Sequence, residues 1–153
     1  MDIGIPSEER AAVIEHLNVL LADTYTLYLK THNFHWNVTG PRFNDLHAMF
    51  MDQYTAMWQA VDDIAERVRA LGAPAPGSYK AFAALTNISE SDGQLSAQEM
   101  VQQLVAGHET ICRTARAAFP TAEKANDQVS LDLLTVRLQF HEQTAWMLRM
   151  LTE

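Results

Sequence analysis

At 153 residues the chain has the length of one domain, enough to bury roughly 70% of the surface its unfolded form exposes, and it calls for no second domain. Nineteen acidic against eleven basic side chains give a formal charge of −8, which repels polyanions and gathers cations; with no cluster of Lys and Arg, this argues against a phosphate-reading surface. The lone cysteine, Cys112, rules out an internal disulfide and reads as a small buried hydrophobe in a reducing compartment, and no apolar run approaches the roughly 18 residues of a membrane span.

The N-terminus, MDIGIPSEER, has neither a basic start nor an apolar signal core, so the protein reads as cytoplasmic with a short tail over residues 1–8. This region carries Asp2, Glu8 and Glu9 against Arg10 alone, so DNA binding through a basic arm is not expected. Ser7 reads as the N-cap of a first helix whose stripe is Val13, Leu17, Leu20, Leu27 and Phe34, with Thr24 and Thr31 filling the 3-4 spacing. Asn37-Val38-Thr39-Gly40-Pro41 breaks that helix. The second helix has the strongest pattern, with Phe43, Leu46, Phe50, Tyr54, Met57, Val61, Ile64, Val68 and Leu71 on one stripe and Gly72 where a C-terminal cap belongs.

From Ala73 to Leu95 the pattern lapses into Ala-Pro-Ala-Pro-Gly, an apolar piece at Tyr79 to Leu85 and a polar turn at Ser89 to Gly93, a crossover holding a small helix. Ser96 and Glu99 form an S-x-x-E capping box for a third helix, which carries Val101, Leu104, Val105, Ile111, Cys112, Ala115 and Phe119 up to Pro120. After Asn126 a fourth stripe runs through Leu131, Leu134, Leu138, Ala145 and Leu148. With no strand alternation and no internal repeat, the prediction is an all-α, single-domain fold over residues 1–153. It is a four-helix bundle of the ferritin-like kind, whose long crossover between helices 2 and 3 carries the short extra helix.

The residues that carry chemistry are His35, His47, Asp62 and Glu66. If Phe43 to Leu71 is one helix, His47 and Asp62 stand about 22 Å apart along it, whereas the ligands of one ion lie about 2.0–2.3 Å from it. A single copy cannot close the site. Two antiparallel copies across a two-fold axis set His47 of one beside Asp62 and Glu66 of the other, in two equivalent sites. On a helical wheel His47, Asp62 and Glu66 fall on the flank of the apolar face, with Met51 and Trp58 among them, as expected at a buried interface. An intrachain two-metal bundle site requires Glu-x-x-His on two helices, and the sequence contains no Glu-x-x-His. Two imidazoles with two carboxylates suit Fe(II), and zinc fits the same donors.

Lys30-Thr31-His32-Asn33-Phe34-His35-Trp36-Asn37-Val38-Thr39-Gly40, followed by Phe43, Leu46-His47, Asp62 and Ala65-Glu66-Arg67, resembles the DNA-protecting-during-starvation (Dps) family of mini-ferritins. The similarity is gap-free from about Leu27 to Gly72 and looser over nearly all the rest, including His141 to Trp146. The resemblance implies a homo-oligomeric hollow shell of twelve chains with ferroxidase centres at two-fold interfaces. These would oxidise Fe(II) with hydrogen peroxide, or more slowly dioxygen, and store a ferric core. It places His35 and His47 on one chain and Asp62 and Glu66 on its mate. It also implies a carboxylate four residues after the second histidine, where this chain has Met51; Asp52 is turned about 100° further round the helix. By the same resemblance Trp36 packs at the centre and accepts an oxidising equivalent; read from its residue type alone it is an interface anchor.

The remaining candidates have plainer readings. His108 and His141 lie on apolar stripes and read as satisfied core residues, His16 as a surface residue, and His32 as a structural, surface or supporting group beside His35. The methionines read as packing residues. Asp127 and Asp132 precede or open the fourth helix, where the resemblance places acidic iron-entry pores and where acidic residues favour a helix N-terminus in any case. Two competitors stand beside the ferroxidase: a DNA-coating shell, and a structural bundle whose oxidation is weakened by Met51.

Overall fold

The computed structural model describes residues 1–91 and 93–152. Five helices follow in order: α1 Ser7–Asn37, α2 Phe43–Ala70, α3 Tyr79–Leu85, α4 Ala97–Lys124 and α5 Gln128–Arg149. No strand occurs among the described residues, and no helix is long and apolar enough to cross a membrane. The expected polar turn at Ser89 to Gly93 includes Asp92, which lies outside the described residues.

Side-chain pairings fix the topology. His35 meets His47 between α1 and α2, Asp23 meets Thr114 and His16 meets Thr121 between α1 and α4, and Arg67 meets Ser130 between α2 and α5. Each pairing is antiparallel, so the bundle runs up-down-down-up. Residues 71–96 therefore have to travel the length of the bundle, and α3 lies on that crossover against α1, where Phe82 stacks on Tyr25 at 4.7 Å. The four-helix prediction with its single crossover holds.

Burial follows the stripes. Leu17, Leu20, Leu27 and Phe34 meet Phe50, Met57, Ile64, Leu104, Ile111 and Leu134 in one core. Phe43 departs from expectation: it is exposed, its ring stacked on His47 at 5.0 Å. Ser7 is likewise not the N-cap. Pro6 holds that position and accepts the Arg10 N–H at 3.0 Å, so α1 begins with Ser7, and Glu8 and Glu9 line its first turn, where the helix dipole favours acidic groups. The helix predicted to end at Pro120 continues to Lys124. Proline forfeits one backbone bond, and that loss is offset by burial of Ala122 and Ala125 beyond it. The Ser96–Glu99 capping box forms as expected, and Gly72 takes the left-handed φ of +104° that ends α2.

The crossover is held by a group the sequence did not reveal. Asp23, fully buried in α1, accepts the Thr86 hydroxyl at 2.8 Å, the Asn87 backbone N–H at 2.6 Å and the Thr114 hydroxyl at 2.6 Å. One carboxylate thus ties the crossover to both α1 and α4.

His108 and His141 are fully buried, as predicted, but only half satisfied. Their Nδ1 atoms face each other at 2.8 Å, so one ring donates and the other accepts, while both Nε2 atoms lack a protein partner. Burial pushes His108 down to about 3. Burial, with the nearby His108 and Arg137 charges, holds His141 well below the ordinary histidine value. The unfolded chain therefore takes up protons that the native core refuses, and stability falls as pH drops below about 6.5. Thermal unfolding midpoints should decline from pH 7 to pH 5, and a His108→Gln, His141→Gln double variant should show a shallower decline.

Candidate metal centre

The turn between α1 and α2 brings His35 and His47 together. Val38 leaves the helix in an extended conformation while its N–H still bonds the Phe34 carbonyl. Gly40 then takes a φ of +108°, open to glycine but costly for other residues, and accepts the Phe43 N–H at 3.0 Å. This reverses the chain, so two imidazoles twelve residues apart face each other, their rings stacked at 3.7 Å and 18°.

They are locked reciprocally. The Nδ1–H of His35 donates to the backbone carbonyl of His47 at 2.7 Å, and the Nδ1–H of His47 donates to the backbone carbonyl of His35 at 2.8 Å. A carbonyl can only accept, so Nδ1 carries the proton in each ring, and in the neutral form each Nε2 keeps its lone pair free. Metal-binding histidines are oriented in this way, with the second nitrogen donating to a carbonyl. His35 is only 8% exposed, and Tyr54 closes one side in a T-shaped contact, its ring centroid 5.2 Å from that of His35.

The two carboxylates lie elsewhere. Asp62 and Glu66 sit further along α2, both exposed, with Asp62 about 22 Å along the axis from His47. Among the described residues no three His, Cys, Asp or Glu side chains gather closely enough to hold an ion. The chain thus brings the two candidate histidines together and leaves the two candidate carboxylates apart from them, as the helical rise requires. Trp36 is 59% exposed, Trp58 56% and Met51 44%, so the flank that carries these half-sites presents large apolar groups of the kind enriched at protein interfaces.

Other candidates resolve differently. His32 is half-buried, and burial together with the nearby His35 charge lowers its pKa. His16 is half-buried rather than exposed, its Nε2 3.1 Å from the Thr121 hydroxyl. Asp127 is a buried structural group rather than a pore acid. It caps α5 through the Ser130 N–H and pairs with Arg67 at 2.6 Å. Burial works to raise its pKa, but the bonds from Arg67 and Ser130 prevail and hold it below the usual carboxylate range. Asp132 remains exposed. The pairing of Arg67 with Asp127 spans sixty residues, which no local pattern in the sequence signals.

Comparison with known proteins agrees with this architecture. The family model for the ferritin-like domain matches residues 14–153. A low temperature-induced protein of Nostoc sp. is 40% identical over all of this chain and 87% of its own length. DNA protection during starvation protein 2 of Bacillus anthracis is 35% identical over 90% of this chain and 94% of its own. Among solved structures, the Dps protein of Vibrio cholerae, described as a member of a broad superfamily of ferritin-like diiron-carboxylate proteins, superposes with a TM-score of 0.95 at 27% identity, covering 99% of this chain and 95% of that one. A Dps protein of Bacillus brevis gives 0.93 at 33% identity over 97% and 100%. The chain belongs to the ferritin-like family, and within it to the Dps proteins.

The reciprocal bonds have a spectroscopic consequence. Nitrogen–proton correlation of the metal-free protein at pH 8 should show the Nδ1–H tautomer for both His35 and His47. Nε2–H signals from either ring would contradict the arrangement.

Proposed function

We propose that the protein is a ferroxidase and iron-storing shell of the cytoplasm, built from twelve copies, with its centres at two-fold interfaces and hydrogen peroxide as oxidant. The observation that carries this reading is the locked pair His35 and His47. Their free Nε2 atoms are two nitrogen donors for Fe(II), and among the described residues no carboxylate oxygen of the same chain joins them. Asp62 and Glu66 of a two-fold mate supply those oxygens. Their negative charge then favours the ferric product over the ferrous substrate, since the extra positive charge gains more from each carboxylate. In the reaction two Fe(II) give up one electron each, the O–O bond of one peroxide breaks, and two hydroxide ions form. No single-electron cleavage is left to release hydroxyl radical. The net charge of −8 helps to draw cations to the shell.

Anaerobic Fe(II) followed by peroxide should yield a soluble ferric core, and a rate no better than buffer would sink the proposal. His47→Ala and Glu66→Ala should each slow the rapid phase by about 10–100-fold or more while the assembly remains intact. Because each centre draws on two chains, shells reassembled from a mixture of His47→Ala and Glu66→Ala protomers should regain rapid oxidation at those centres that receive both intact halves. Stopped-flow absorbance on the mixture, compared with either variant alone, checks this; no gain on mixing would overturn the centre shared between two chains.

A further inference from the structure

A centre that joins His47 of one chain to Asp62 and Glu66 of its two-fold mate fixes how the two α2 helices face each other. With His47 opposite Asp62 in an antiparallel pair, the axis crosses α2 between Tyr54 and Thr55. His47 and Asp62 then lie about 11 Å from that point, on opposite sides. Met51 and Trp58 obey the same symmetry. They too are equidistant from the midpoint, about 5 Å to either side, so the register that completes the centre brings Met51 of each chain level with Trp58 of its mate.

The angle agrees with the height. At 100° per residue Met51 and Trp58 point within about 20° of each other, inside the sector bounded by His47 and Asp62. Both are open to contact, Met51 being 44% and Trp58 56% exposed. They cannot cover each other within one chain, because they stand about 10 Å apart along the helix. Trp58 is braced by Tyr28, whose ring centroid lies 5.5 Å from its own. A thioether against an aromatic ring is a favourable pairing, and the unbranched methionine side chain adapts its rotatable bonds to the ring it meets.

We propose that Met51 and Trp58 form the apolar contacts of the two-fold interface, each methionine packed on the tryptophan of the mate, in two equivalent copies between the two centres. This rests on the ferroxidase reading, which sets the register. It gives Met51, standing where the resemblance implies a carboxylate, a task in joining the chains.

Cysteine cross-linking of the metal-free protein tests the pairing. Facing helices packed about 8–10 Å apart bring counterpart Cα atoms within about 7 Å, the reach of a disulfide. Each residue stands more than about 10 Å from its own copy across the axis, beyond that reach. In a Cys112→Ala background, Met51→Cys and Trp58→Cys chains are made separately and also co-expressed, then mildly oxidised. An unlike pair holds one facing pair of thiols and keeps one native contact on the other side of the axis. The co-expressed protein should give a covalent dimer on a non-reducing gel, and neither variant alone should do so. No dimer on co-expression, or as much from either variant alone, would overturn the pairing. Iron oxidation by the wild type separates the two ideas: rapid oxidation without cross-linking sinks the pairing alone, whereas cross-linking beside a rate no better than buffer upholds the pairing and sinks the ferroxidase.

Discussion

Two hydrogen bonds lock the rings of His35 and His47, the proposed metal ligands, against each other. Each imidazole spends its Nδ1 proton on the backbone of the other residue, so the same contact that closes the α1–α2 turn also chooses the nitrogen left for coordination. Fold and chemistry are joined at that point. Gly40 supplies the reversal that makes the contact possible, and Phe43 and Tyr54 pack against the rings. In the proposed centre the pair would therefore be held ready before any ion arrives, which would reduce the ordering that binding demands.

The second constraint is the length of α2. A straight helix advances about 1.5 Å per residue, and nothing in the chain bends Asp62 back toward His47. The proposed sharing of each centre between two chains follows from that rise together with the apolar flank around it. Trp36 and Trp58 remain more than half exposed, and the proposed two-fold contact would bury them while completing the ligand set. Interface and centre then become a single feature.

Much of this was legible in the sequence because periodicity and reach are local or additive properties. The α2 stripe, the Ser96–Glu99 box and the Gly72 stop follow rules that span a few residues, and the separation of His47 from Asp62 needs only a residue count. The structure supplied what depends on distant partners. Asp23 looks like any acidic residue on a helix until Thr86, Asn87 and Thr114 arrive from two other segments. Asp127 reads equally well as a pore acid until Arg67 occupies it. The pairing of His108 with His141 depends on α4 and α5 lying side by side in one register. Pro120 misled for the opposite reason: a local rule was outweighed by the burial of residues beyond it.

Asp23 also bears on how the two helical hairpins stay together. It accepts from Thr86 and Asn87 on the connecting segment and from Thr114 on α4, so the joint between the halves does not depend on an unbroken backbone. A protease that nicked the connection after Asn87 would leave two fragments still fastened through this carboxylate and the shared core. The molecule is thus suited to fragment complementation, with the long link serving to deliver α4 to the correct end of the bundle more than to hold it there.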